Sequence, residues 1–173
     1  GRSWSDPQPA SIAGLPSSYQ RPFDPTLVAL PDGRVRIYFT SNPDGNPTGG
    51  DQNGFYSAIG SDGVNFTWEA GTRFWPGKSV VDCAALYWDG IFHLTAPSGS
   101  PTGGAYHAVA PDGLTFTRLA DIPSSEQENW TGNLLAVGSL LRFYGTANVK
   151  GMWFRERADG SAWTQPRYLG VNG

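Results

Sequence analysis

The sequence predicts an all-β protein, a β-propeller built from three four-stranded blade repeats. Two observations carry that expectation. The first is a motif, Asp-Gly-x-x-aromatic-Thr, which stands at 62–67, 112–117 and 159–164 in steps of 50 and 47 residues. A short strand-like run precedes each copy: 55–59, 105–109 and 151–155. An Asp-Gly pair between two such runs is the strongest short hairpin signal, because both turn positions tolerate positive φ. The second is a duplicated loop, Pro-x-Gly-x-Pro-Thr-Gly-Gly, at 43–50 and again at 97–104. A strand–turn–strand unit repeating at this period matches one propeller blade.

The elements follow in chain order. Residues 1–20, rich in Pro and Ser with Trp4 and Tyr19 as apolar anchors, form an N-terminal arm that adds at most one edge strand. The propeller domain then runs over 21–173, with repeats at about 23–72, 80–122 and 128–170. The first opens at Phe23, turns at Asp32-Gly33 and returns through Arg34–Thr40, where arginines alternate with Val35, Ile37 and Phe39. That alternation is the period of a half-buried strand. The second opens at Val81, turns at Asp89-Gly90 and returns through Ile91–Thr95. The third opens near Asn129, turns at Gly138-Ser139 and returns through Leu140–Tyr144, with its polar loop cut to 148–150.

Composition narrows the function classes. The chain has 173 residues, enough for one domain with a core. Its 23 Gly and 14 Pro punctuate periodic segments, as in a turn-rich β protein. A net charge of −3 without a Lys/Arg run argues against nucleic acid and anionic membrane as partners. No apolar run reaches the roughly 18 residues of a membrane span. The single Cys83 excludes an intrachain disulfide and a multi-cysteine zinc site, and reads as a small buried hydrophobe. Asp44, Asn46, Asp51 and Asn53 lack the spacing of a calcium loop, so no cofactor is expected and a channel calcium ion is not indicated. The composition suits an extracellular or periplasmic protein.

Three blades leave two raw inter-blade faces, whereas closed propellers typically have 4–8 blades. Either two chains close a six-bladed ring by two-fold symmetry, the favoured expectation of a homodimer, or the chain is part of a longer propeller. Within each blade the start of the first strand and the loop after the second share one end. Asp24, Asp82 and the acidic pair Glu126 and Glu128 therefore gather at one mouth. Converging carboxyl groups on a concave mouth suit acid–base chemistry on a glycosidic bond. Each also has a plainer use: Asp24 before Pro25 as a turn cap, Asp82 as a partner for backbone amides, the glutamates as solvated charges. Seven Trp divide between packing and sugar-facing platforms.

The run Phe23-Asp24-Pro25-Thr26-Leu27-Val28, with Asp32-Gly33-Arg34-Val35-Arg36-Ile37-Tyr38-Phe39-Thr40-Ser41, resembles the opening blade of furanosidase-type β-propeller glycosidases. The repeated Ala-x-x-x-Asp-Gly-x-x-Phe-Thr is similar to the blade motif of that group and of sialidase-like propellers. The resemblance covers residues 19–170 and speaks to fold more than to activity. It implies Asp24 as general base or nucleophile, Asp82 as the residue that tunes and orients, and Glu128 as the acid. Turn alignment sets Trp130 where the family carries its Glu, with Glu128 two residues earlier, one full strand period. The Gly-Pro that follows the family's Glu is missing, and the family's blade number is five. Trp130, Trp75, Tyr19, Arg21 and His93 complete the candidate substrate-binding set. His93 stands where Arg36 and Arg142 stand in the other repeats, a strand-face position and not a metal ligand. The implied partner is a carbohydrate, hydrolysed or, in the alternative, bound without catalysis.

Overall fold

The computed structural model describes residues 3–46, 52–98, 104–125, 128, 130–147 and 151–170, those at 130, 131 and 147 by backbone alone. Among these residues there is no helix, and the strands form three sheets. Blade one contains β1 (Ser11–Ala13), β2 (Phe23–Ala29), β3 (Val35–Ser41), β4 (Gly54–Gly60) and β5 (Asn65–Phe74), in the order β1-β5-β4-β3-β2. Blade two is β6 (Ala84–Trp88), β7 (Ile91–Pro97), β8 (Ala105–Ala110) and β9 (Thr117–Arg118). Blade three is β10 (Trp130–Val137), β11 (Leu140–Ala147), β12 (Gly151–Arg157) and β13 (Arg167–Tyr168). The first strands β2, β6 and β10 lie side by side at the inner edge, so their starts share one end of the molecule.

The turns form as Asp and Gly dictate. Asp89 (φ 51) and Gly90 (φ 82) both take the left-handed conformation that a two-residue hairpin loop requires. In the repeated motif the Asp side chain closes the bend: Asp62 Oδ1 accepts from the backbone N–H of Val64 (2.9 Å) and Asn65 (2.7 Å). Asp112 Oδ1 does the same for Leu114 (2.8 Å) and Thr115 (2.9 Å). The third copy departs from the expected strand. Trp163 turns inward and Thr164 Oγ1 accepts from the Glu156 N–H at 3.0 Å, so the ladder restarts only after Pro166, which has no N–H to give.

The motif aromatic points each time toward the preceding unit. Phe116 of blade two meets Tyr38 of blade one edge-on at 5.9 Å, and Trp163 of blade three meets His107 of blade two at 5.6 Å. Phe66 has no preceding blade. It sits instead in a cluster with Phe39 and Tyr56 that Ile12 and Tyr19 of the arm pack against. The arm thus stands in for a neighbour, with β1 paired in parallel to β5.

The two inter-blade seams differ in chemistry. Between blades one and two, Arg36 Nη1 donates to the Asp112 carbonyl (2.9 Å) and the Tyr38 hydroxyl to the Gly113 carbonyl (2.8 Å), with Arg36 also held by Glu69. Val28, Phe55, Phe74, Leu94 and Tyr106 fill the apolar part. Between blades two and three, Leu134, Leu141, Phe143 and Trp153 pack beside a buried histidine pair, His93 Nδ1 and His107 Nε2 at 3.1 Å.

Candidate functional site

Asp24 lies in a β-bulge of β2, where the register against β3 shifts between Phe23 and Thr26. Asp82 lies two residues before β6. Both have positive φ, 49 for Asp24 and 58 for Asp82. Non-glycine residues in this region are uncommon, and Asp is among the few that tolerate it. The same strained turn thus recurs at equivalent points of adjacent blades and brings the two side chains together. Asp82 is raised above the ordinary carboxyl range by partial desolvation first, then by the negative charge of Asp24 and a side-chain hydrogen bond with it. Asp82 keeps access to solvent, so the proximity of Asp24 is the firmer of these causes. A carboxyl group beside a carboxylate keeps its proton more readily than one that stands alone.

The floor beneath the pair is inert. Cys83 Sγ lies 4.0 Å from the Asp24 carbonyl oxygen. Burial, and then the nearby Asp24 carboxylate, push its thiol far above its ordinary value, so it is not a nucleophile. The Ala85 N–H donates to Thr26 Oγ1 at 3.5 Å, a second tie between the inner strands.

Glu128 sits just before β10. It is buried, accepts a hydrogen bond from Ser125 Oγ at 2.5 Å and lies within electrostatic reach of Arg155. These contacts belong to blade three, and none of the contacts described for Glu128 is with the aspartate pair. By strand register Trp130 pairs with Thr146 as Phe23 pairs with Thr40, so the position of Asp24 and Asp82 falls in blade three on Thr131. The side chains of Trp130 and Thr131 lie outside what the structure describes. So do Glu126 and most of the two Pro-Thr-Gly-Gly loops expected at the rim.

The remaining candidates scatter. Trp75, just past β5 at the same end as Asp24, is exposed. Arg21 is exposed ahead of β2. Tyr19 packs on Tyr56 (5.3 Å) and Trp68 (5.5 Å) in the outer face of blade one. His93 is buried in the seam between blades two and three, closed to a sugar. Burial holds His93 near 4 and His107 near 3, with the Arg157 charge adding to both, so the two imidazoles are neutral at ordinary pH. Among the described residues no group of three or more His, Cys, Asp or Glu side chains is placed to hold a metal ion. The feature that composition and spacing did not reveal is the left-handed backbone at both aspartates. Its available signal was the residue type alone.

No family model matches the chain, and no curated protein matches it. Solved structures do. A family 117 glycoside hydrolase of the marine bacterium Zobellia galactanivorans superposes with a TM-score of 0.66 at 18% identity, over 88% of this chain and 57% of that one. An α-L-arabinofuranosidase of Clostridium thermocellum gives 0.61 at 13% identity, over 94% and 53%. A β-xylosidase/α-arabinofuranosidase from a compost metagenome gives 0.62 at 13% identity, over 86% and 58%. The chain therefore spans little more than half the length of these structures. At such identity the likeness is one of fold: the chain has the blade architecture of furanosidase-type β-propeller glycoside hydrolases, the resemblance its repeats carry in sequence.

Proposed function

We propose that the chain is a carbohydrate-active propeller that hydrolyses a glycosidic bond at the inner mouth. Asp24 serves as base or nucleophile, Asp82 as the residue that tunes and orients it, and Glu128 as the acid. The observation that carries this reading is the left-handed aspartate at equivalent points of adjacent blades, Asp24 (φ 49) and Asp82 (φ 58), with Asp82 raised by desolvation and by its neighbour Asp24. Carboxyl groups that flank a glycosidic bond stand roughly 5–5.5 Å apart in retaining enzymes and about 6.5–9.5 Å apart in inverting ones. Here the charge of Asp24 and a side-chain hydrogen bond couple Asp82 to its neighbour. One member acts on the sugar while the other sets its charge, and the acid comes from elsewhere. Fold neighbours active on arabinofuranosides and xylosides make those linkages the first to assay.

The test is Asp24→Asn, assayed on aryl arabinofuranosides and xylosides. Asn accepts the left-handed backbone, so the fold is retained. Turnover falls at least about a thousandfold if the carboxylate is the nucleophile or base, with the melting temperature within a degree or two. An equal fall in stability marks Asp24 as structural.

A second reading, sugar binding without catalysis, is favoured by the burial of Glu128 and its hydrogen bond from Ser125. In that case Asp24→Asn leaves binding unchanged, while Trp130→Ala or Trp75→Ala abolishes it. Ring closure is part of the proposal. Leu27 on blade one, and Leu135 and Met152 on blade three, are exposed apolar groups on the two outward blade faces. A second copy covers them in a homodimer. The place of action is the extracellular or periplasmic space. No helix among the described residues is long and apolar enough to cross a membrane.

A further inference from the structure

We propose that Arg142 and Tyr144, on the outward face of blade three, grip the Asp62–Gly63 turn of a second copy of this chain. The inference rests on the homodimer reading above and names the contact that holds the copies together. Its template is the seam the molecule already builds between blades one and two. There Arg36 Nη1 donates to the Asp112 carbonyl (2.9 Å) and the Tyr38 hydroxyl to the Gly113 carbonyl (2.8 Å). Two side chains of one blade thus hold the repeated turn of the next. In the following seam His93 has the position of Arg36, and the charge of the Asp159 turn reaches it. Each blade offers this strand position to the turn of its successor.

Blade three carries the latch again, and no further blade follows it among the described residues. In the strand register Arg142 pairs with Leu135 as Arg36 pairs with Val28, so the two arginines stand at equivalent points. A glutamate holds each one: Arg36 Nε donates to Glu69 at 2.9 Å, and Arg142 Nε to Glu156 at 2.9 Å. Arg142 Nη1 donates to the Tyr144 hydroxyl at 3.1 Å, which leaves the phenolic proton for a further acceptor. Exposure separates the two copies of the latch. Val28 is 4% exposed within its seam and Leu135 is 49% exposed.

The turn that fits lies on the opposite outward face. Asp62-Gly63 repeats Asp112-Gly113 and is closed in the same way, with Oδ1 of each Asp accepting from two backbone N–H groups. A preformed turn loses little freedom on docking. A Cβ on Gly113 would stand 2.2 Å from Arg36 Nη1, whereas one on Gly63 would meet nothing within 4 Å. The arm leaves this turn open: Ile12 and Tyr19 pack against the Phe66 cluster, while Asp62 and Gly63 stay exposed. Apolar surface accompanies it. Leu27 pairs with Ile37 as Ala85 pairs with Leu94, yet Ala85 is buried in a seam and Leu27 is 59% exposed. Leu27 of one copy and Leu135 of the other supply the apolar part of the contact, beside its hydrogen bonds.

Sedimentation velocity over a range of concentrations, on the wild type and on single variants, tests this. The wild type dimerises. Gly63→Ala and Tyr144→Phe each raise the dissociation constant at least about tenfold, since each disturbs both seams of the dimer. Gly33→Ala, in a turn with φ +85 and nothing within 4 Å, applies the same backbone strain away from the latch and leaves the constant unchanged. Melting temperatures in dilute solution check that each variant folds. A wild type that stays monomeric overturns the dimer and the latch together. A dimer indifferent to both Gly63→Ala and Tyr144→Phe, or weakened as much by Gly33→Ala, overturns the latch and leaves the dimer standing. Masses that climb past the dimer, and fall to the monomer in both latch variants, support the latch and overturn closure by two copies.

Discussion

Asp24 and Asp82 each spend conformational energy, about 1 kcal/mol or more, to stand in the left-handed region. The return is contact between two carboxyl groups that solvent would otherwise keep apart. Because desolvation and Asp24 raise the Asp82 carboxyl, the folded chain takes up that proton more readily than the unfolded chain does. The stability this contributes is present at low pH and is lost as pH rises through the folded value. Asp82→Asn removes the penalty while keeping an αL-tolerant side chain. Its melting temperature therefore exceeds that of the wild type at pH 7, and the two converge only once the pH falls below the ordinary value of 3.8. If Asp82 tunes Asp24, the same variant lowers turnover and moves the acidic limb of the pH–rate profile, which an inert structural role would not do.

At the scale of elements, the seams between blades carry the specificity. Gly113 has φ +69, and a Cβ there would stand 2.2 Å from Arg36 Nη1 and 2.7 Å from the Tyr38 hydroxyl. Gly63, its counterpart in blade one, has φ +74 and nothing within 4 Å. Gly63→Ala then costs only backbone strain, about 1 kcal/mol, whereas Gly113→Ala adds displacement of the Arg36–Tyr38 latch and costs about 2–4 kcal/mol. Denaturant unfolding of the two variants resolves that difference. The histidine seam makes the opposite kind of statement. His93 and His107, near 4 and 3 in the folded chain against 6.5 in the open, bind protons only once unfolded as the pH drops below about 6.5. Their contribution is whole above that pH and falls away between 6.5 and 4, by on the order of 2 kcal/mol per imidazole at pH 5. A His93→Gln, His107→Gln double variant loses that part of the acid sensitivity, read from unfolding curves at pH 5 and 8.

At the scale of the whole molecule, the repeated Asp-Gly motif made the blades legible because it encodes local geometry: a carboxylate closes each bend and a glycine takes positive φ. The clustering of Asp24 and Asp82 was legible too, since β topology sends the starts of β2 and β6 to one end. What was not legible depends on side chains from different repeats. Nothing in the neighbourhood of Trp163 announces that its ring enters the seam beside His107 and delays the strand to Arg167. Neither Arg36 nor Tyr38 carries a local sign that it grips the turn of the next blade, and His93 reads as surface-facing until blade three covers it. The proposed closure by two copies is tested by solution mass: with a chain of 18.6 kDa, light scattering gives about 37 kDa if two copies close the ring, and a monomer mass rejects it. Adjacent blades set Asp24 beside Asp82 and so raise the Asp82 carboxyl. Carbon-13 NMR titration of the Asp carboxyl groups, in the wild type and in Asp24→Asn, tests it most directly. The expected result is one aspartate titrating above the ordinary value of 3.8, assigned to Asp82, which moves down when Asp24 loses its charge. An Asp82 that titrates at or below 3.8, or that ignores the substitution, would contradict it.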